Sequence, residues 1–159
     1  MRLHPFSNFG SLVALLAVTS GIAGAQASTH VGMRVGYNFD TEEMMFSGNL
    51  TVPMNRRLEF YPSLDIYTPS SGNKIGFNGD LKVMFPTVPG PQFYLGGGLG
   101  IVSRNERDFS DTDVGANLLV GLESRSGWVH PFVEGKVLVR DQSQFQLIGG
   151  LNLTLGGRY

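Results

Sequence analysis

The feature that most restricts the fold of this chain is strict alternation of apolar and polar residues, repeated from His30 to Tyr159. Successive side chains of a strand point to opposite faces, so a period of two marks strands, whereas a helix would repeat every 3.6 residues. Clusters of Gly, Pro, Asn, Asp and Ser cut the pattern into eight segments. These are His30–Asp40, Met44–Pro53, Leu58–Tyr67, Lys74–Phe85, Gln92–Val102, Asp113–Glu123, Trp128–Arg140 and Gln144–Tyr159. One face of each is apolar: Val31, Met33, Val35, Tyr37 and Phe39 in the first, and Phe145, Leu147, Leu151, Leu153 and Leu155 in the last. Across all eight, no charged residue and no Ser, Thr, Asn, Gln or His falls on that face. The opposite faces carry Arg34, Glu59, Asp65, Asp80, Lys82, Glu123, His130, Glu134, Lys136 and Arg140 among others. An all-β antiparallel sheet with one dry face follows.

Alternation does not say which face points inward. A soluble ligand-binding barrel fills its interior with the apolar set. A membrane barrel turns that set to lipid and keeps a polar lumen. Glycines decide between them. Gly32, Gly36, Gly96, Gly98, Gly100, Gly115, Gly121 and Gly150 crowd the polar face. Smallness serves no purpose in water, but it does in a lumen that eight strands leave only just wide enough for side chains. Aromatics also collect at segment ends. Tyr37, Phe39, Phe46, Phe77 and Phe145 would form one rim, and Phe60, Phe85, Phe93 and Tyr159 the other, as two lipid–water interfaces require. Strands of about ten residues match a tilted span of the bilayer. Closure removes the unpaired edges that lipid cannot satisfy. The expected fold is an eight-stranded antiparallel up-and-down transmembrane β-barrel.

Residues 1–27 are of another kind. Arg2 and His4 precede the apolar run Leu12–Val18, and small residues lead to Ala25-Gln26-Ala27. This order reads as a secretory signal peptide cleaved after Ala27, leaving a barrel domain over 28–159. The run to Ala25 is about 14 residues, short of the roughly 20 that a membrane-spanning helix needs.

Signal peptide, eight alternating segments and a terminal strand, Leu151-Asn-Leu-Thr-Leu-Gly-Gly-Arg-Tyr159, together resemble the small outer-membrane barrels of the OmpA- and OmpX-like family. The resemblance implies an outer-membrane location in a Gram-negative-type envelope, among membrane lipid and lipopolysaccharide. It also implies periplasmic chaperones and the barrel-assembly machinery as partners during biogenesis, with Tyr159 as the assembly signal. Phe is the commoner last residue in that family, so Tyr159 is a mild departure.

Composition closes off several functions. The chain has no cysteine, which excludes disulfides and thiolate chemistry, and its formal charge of −1 offers no footprint for nucleic acid. The candidate functional residues are the lumen charges Arg34, Glu59, Asp80, Lys82, Glu134, Lys136 and Arg140. In register, Glu59 faces Lys82, and Gly96, Gly98 and Gly100 leave room for Lys82 and Asp80. Such charges either plug the interior by pairing or gate a narrow ion path. A lipid A-modifying enzyme would need polar catalytic atoms on the lipid face, where this sequence has none, and no serine motif accompanies His130 and Glu134. Asp108, Asp111 and Asp113 lack the Gly and closing Glu of a calcium loop. Gly96–Gly100 is followed by a strand, not by the helix of a phosphate loop. The charged stretch 103–112, with Arg104, Glu106, Arg107 and Asp108, reads as the longest outer loop and a surface for adhesion. The expected protein is a monomeric, non-enzymatic envelope barrel without cofactor or metal, with a small-solute pore as the alternative.

Overall fold

The computed structural model describes residues 28–85, 87, 90–106 and 109–155. The proposed signal peptide and Tyr159 lie outside the described residues. Eight strands follow one another: β1 (Thr29–Asn38), β2 (Glu43–Pro53), β3 (Leu58–Thr68), β4 (Asn73–Phe85), β5 (Gln92–Glu106), β6 (Phe109–Glu123), β7 (Val129–Val139) and β8 (Gln144–Leu155). Each pairs antiparallel with its sequence neighbours, and β1 closes on β8 with Thr29 opposite Leu155 and Asn38 opposite Gln146. The result is a closed barrel of up-and-down strands. Both Thr29 and Leu155 lie at one end, here the terminal end; the turns after β1, β3, β5 and β7 lie at the distal end.

The apolar faces point outward. Met33 on β1 is 76% exposed and Leu99 on β5 64%, while Arg34 and Asn38, on the other face of β1, are buried. A soluble barrel with an apolar interior is therefore not what this sequence builds. Two aromatic groups mark the ends of the outer face. At the distal end Phe39 stacks on Phe145 at 5.6 Å and meets Tyr37 edge-on at 5.1 Å; at the terminal end Phe85 lies 5.8 Å from Phe93. The interior is not uniformly polar. Met45, Tyr67, Phe132 and Ile148 form an apolar layer within it.

One expected loop is a strand instead. The stretch 103–112 was expected to be irregular, but β5 extends into it as far as Glu106 and β6 begins within it at Phe109, with Ser103 opposite Thr112, Arg104 opposite Asp111 and Glu106 opposite Phe109. Its alternation is weak because both faces of this hairpin extension meet water, so no dry face imposes a period of two. Opposite charges facing each other across the ladder, as in Arg104 and Asp111, support the pairing. Among the described turns, Glu42 between β1 and β2 is a non-glycine residue in the left-handed region, at φ 54°. Gly72 and Gly127 adopt φ of 74° and 80°, the left-handed conformation that glycine takes without strain.

Candidate functional site

The lumen is filled at mid-height by a charged network drawn from β1, β2, β3, β4, β5, β6 and β7. Arg34, on β1, is its hub. Its Nε donates to Ser47 Oγ at 2.9 Å, Nη2 to Ser63 Oγ at 2.6 Å and Asp65 Oδ1 at 2.8 Å, and Nη1 to Glu134 Oε1 and Tyr61 Oη, each at 3.3 Å. All five guanidinium donors are thus directed at partners, which is what a buried arginine requires. Glu134 is held from its other side by the Tyr94 hydroxyl, donating at 2.8 Å, and by Lys82 Nζ at 3.3 Å. The Lys82 ammonium also sits 3.1 Å from the Tyr61 ring centroid and 4.3 Å from that of Tyr94, two aromatic faces that stabilise a buried cation. Lys136 Nζ donates to Asn78 Oδ1 at 2.8 Å and stands 3.8 Å from Asp65 and 3.9 Å from Asp80. Arg34, Lys82 and Lys136 face Asp65, Asp80 and Glu134, so this layer balances its charge.

Register explains how such large groups fit. Glycine lies across the ladder from five of the six: Gly150 opposite Arg34, Gly76 opposite Asp65, Gly98 opposite Asp80, Gly96 opposite Lys82 and Gly121 opposite Glu134, while Lys136 faces Leu119 and Gln146. A Cβ on Gly98 would come within 2.2 Å of the Gly79 carbonyl oxygen and 2.5 Å of Asp80 Oδ1. On Gly121 it would meet the Tyr94 ring at 2.3 Å. Side chains from the facing strands occupy the volume that these glycines leave.

Two of the seven candidate residues lie apart from this layer. Glu59 is cross-strand from Lys82, as its register required, but its carboxylate turns toward the terminal end. There Arg125, from the turn between β6 and β7, contacts both of its oxygens at 2.7 and 2.8 Å and Glu123 Oε2 at 3.2 Å. Arg125 lies outside the strands. Burial by itself would lower its pKa, but the Glu123 and Glu59 carboxylates outweigh this and raise it above the ordinary arginine value. Arg140 does not join Arg34 either. It stands at the distal end, 3.6 Å from Asp113, because it follows the last residue of β7, well above Glu134. A second distal cluster sets Lys74 against Glu43, with Arg104 at 3.5 Å from the same carboxylate.

Sequence reasoning left several participants out of the candidate set. Asp65 and Tyr61 were recognisable as inward residues, but nothing in the alternation singled them out from other inward groups. Tyr94 and Arg125 left weaker traces. Tyr94 carries an aromatic ring on the inward face, and Arg125 comes from a turn, where alternation has no meaning.

No protein-family model and no curated protein matches the chain. Solved structures do. The N-terminal β-barrel domain of Pseudomonas aeruginosa OprF aligns with a TM-score of 0.70 at 14% identity, covering 83% of this chain and 100% of that one. Neisserial surface protein A aligns at 0.60 and 14% identity, over 80% of this chain and 95% of its own. Ail, the attachment invasion locus protein of Yersinia pestis, aligns at 0.52 and 12% identity, over 80% and 97%. With a closed antiparallel barrel, an apolar outer wall and a polar lumen, this chain has the fold of the small eight-stranded transmembrane β-barrels.

Proposed function

We propose that the protein is a structural, envelope-interacting barrel of the outer membrane, with its lumen sealed and its terminal end toward the periplasm. The observation that carries this reading is the mid-lumen network: seven strands send side chains to one charge-balanced layer in which Arg34, Tyr61, Asp65, Lys82, Tyr94 and Glu134 are all buried. A layer bonded in this way supports a plug, since separating its charges would leave each unpaired in a confined interior. The outer wall supports a membrane location, because a belt holding Met33, Leu99, Val114 and Leu118 at more than half exposure has no place in water. A non-enzymatic role fits Glu134, whose carboxylate is committed to Arg34, Lys82 and Tyr94 and not to His130. The similarity of fold to Ail, named for attachment and invasion, suggests that the extended β5–β6 hairpin is the surface most suited to meeting a partner.

Conductance in planar lipid bilayers tests the seal. The purified protein is expected to give no discrete channels, and Lys82→Ala is expected to leave the bilayer silent as well. Channels of uniform conductance that change with Lys82→Ala would replace the plug by a pore. Fractionation with a heat-modifiability gel tests the location: recovery in the outer membrane with a heat-dependent mobility shift is expected, and a soluble periplasmic protein without that shift would overturn it. An altered lipid A acyl pattern on expression, read by mass spectrometry, would overturn the non-enzymatic reading.

A further inference from the structure

Four of the six arginines among the described residues stand between 2.7 and 3.6 Å from a carboxylate: Arg34 from Asp65, Arg104 from Glu43, Arg125 from Glu59 and Arg140 from Asp113. Arg56 and Arg57 form no ion pair among the described residues. They are adjacent, exposed, and sit on the turn between β2 and β3 at the terminal end. No Asp or Glu lies on that turn or on the other two terminal-end turns, and Glu59 and Glu123 on the adjoining strand ends are buried. The distal end has the opposite bias, with Asp40, Glu42, Asp111, Asp113 and Asp141 all exposed. A chain of formal charge −1 has no general attraction for anions, so an attraction at this turn is local.

The turn is held by its own hydrogen bonds. Asn55 Oδ1 accepts from the N–H groups of Arg57 and Leu58, both at 2.9 Å, and the Leu58 carbonyl accepts from Met54 and Asn55 at 2.8 and 3.1 Å. The Arg57 carbonyl accepts from the N–H of Met84 on β4 at 2.7 Å. None of these bonds uses a guanidinium. Depth follows from the neighbouring wall. Phe60 on β3 and Val83 and Phe85 on β4 are the exposed apolar side chains just inside the turn, and Met54 within it is 58% exposed. Arg56 and Arg57 thus come directly after the apolar belt. Lipid headgroups occupy roughly 5–7 Å beyond each side of the hydrocarbon core, and a strand rises about 3.3 Å per residue, so this turn lies at the level of the phosphates.

We propose that the β2–β3 turn binds an anionic glycerophospholipid of the leaflet at the terminal end, with Arg56 and Arg57 on its phosphate and Met54 against its acyl chain. This site rests on the membrane location proposed above. A guanidinium matches two phosphate oxygens at once and is more weakly hydrated than an ammonium, so it exchanges water for phosphate at low cost. Each basic residue at a membrane surface raises affinity for anionic lipid roughly fivefold. A turn already fixed by hydrogen bonds loses little backbone freedom when the lipid arrives. The lipid would give the pair the negative partner that every other described arginine finds within the protein.

Native mass spectrometry of the detergent-solubilised protein, titrated with lipid, counts what is bound. Phosphatidylglycerol is expected to give one tight adduct, held roughly fivefold or more tighter than phosphatidylcholine of the same chains. The double variant Arg56→Gln/Arg57→Gln is expected to lose that preference. Arg104→Gln, the same change of charge at the distal end, is expected to keep it, and excess inorganic phosphate is expected to leave the adduct in place. Equal affinity for the two lipids, a preference that survives the double variant, or an equal loss in Arg104→Gln would overturn the site. Displacement of the lipid by inorganic phosphate would also overturn it, by making the turn a site for the free ion. Folding of each form is checked by its heat-dependent mobility shift. Should the double variant fail to fold, Arg56→Gln replaces it, with a partial loss of preference expected and no loss overturning the site. A wild-type protein without the shift would undo the membrane location itself, whereas one that shifts but is indifferent to phosphatidylglycerol would undo this site alone.

Discussion

The middle of the lumen and its terminal-end mouth are built from the same residue types and solve the burial of charge differently. In the middle, Arg34, Lys82 and Lys136 meet Asp65, Asp80 and Glu134, and each cation has a carboxylate within 4 Å. At the mouth, two carboxylates share Arg125, which arrives from a turn and is 20% exposed along its side chain. Closure by strands alone positions the middle, because each of its charges projects from a paired residue. The mouth depends on a loop residue, Arg125, and packs His30 and His130 beside it. Charge that hydration cannot reach must be balanced by protein, whereas charge near the opening can be left in part to solvent.

Glu134→Gln is the sharpest way to break this contrast. It removes the carboxylate shared by Arg34 and Lys82, both fully buried, and leaves a surplus of positive charge at mid-lumen. Breaking a buried pair from one side costs about 3–5 kcal/mol. Urea unfolding of the detergent-solubilised protein, followed by the heat-dependent mobility shift, is expected to show a loss of that order. A loss below about 1 kcal/mol, the size seen for solvated pairs, would mean that water already reaches the middle and that the two regions do not differ.

How much of this was legible in the sequence follows from what fixes each part. The strands, their order and the outward face were readable because lipid contact allows no charged residue on one face, and a one-residue slip would have placed Arg34 or Glu134 in the bilayer. Strand lengths at the distal end were not, since beyond the membrane both faces of β5 and β6 are wet and the alternation that marks a strand disappears. The register of Glu59 with Lys82 was readable from the β3–β4 turn, but register places Cα atoms and not charged tips. A long side chain can lean up or down the barrel. Glu59 leaned to Arg125 and Lys82 to Glu134, so the pair that faces across the ladder is not the pair that bonds.

Arg125→Ala tests the mouth in the same way and is expected to have a smaller effect. It strips Glu59 of its guanidinium donor and leaves Glu123 only the amide of Asn152, donating at 2.9 Å, but both carboxylates lie where water can enter once the guanidinium is gone. Leaving buried acceptors unsatisfied costs about 1–3 kcal/mol, and partial hydration keeps this case toward the lower end. The same urea titration measures it. A cost equal to that of Glu134→Gln would show the mouth to be as closed as the middle, and would make Arg125 part of the plug.

Arg104→Ala at the distal end extends the series to its weakest member. Arg104 is 44% exposed along its side chain and stands 3.5 Å from Glu43, a carboxylate that Lys74 already neutralises. Exposed pairs contribute about 0–1 kcal/mol, and here the partner keeps its second cation, so unfolding is expected to shift by no more than about 0.5 kcal/mol. The distinction can be made sharper with salt. The screening length is about 10 Å at 0.1 M ionic strength and about 3 Å at 1 M, so salt approaching 1 M screens an exposed pair 3.5 Å apart and scarcely touches a buried one. Raising the salt should therefore erase the small effect of Arg104→Ala while leaving that of Glu134→Gln in place. If both effects faded together, depth in the barrel would not be what separates the middle from its ends.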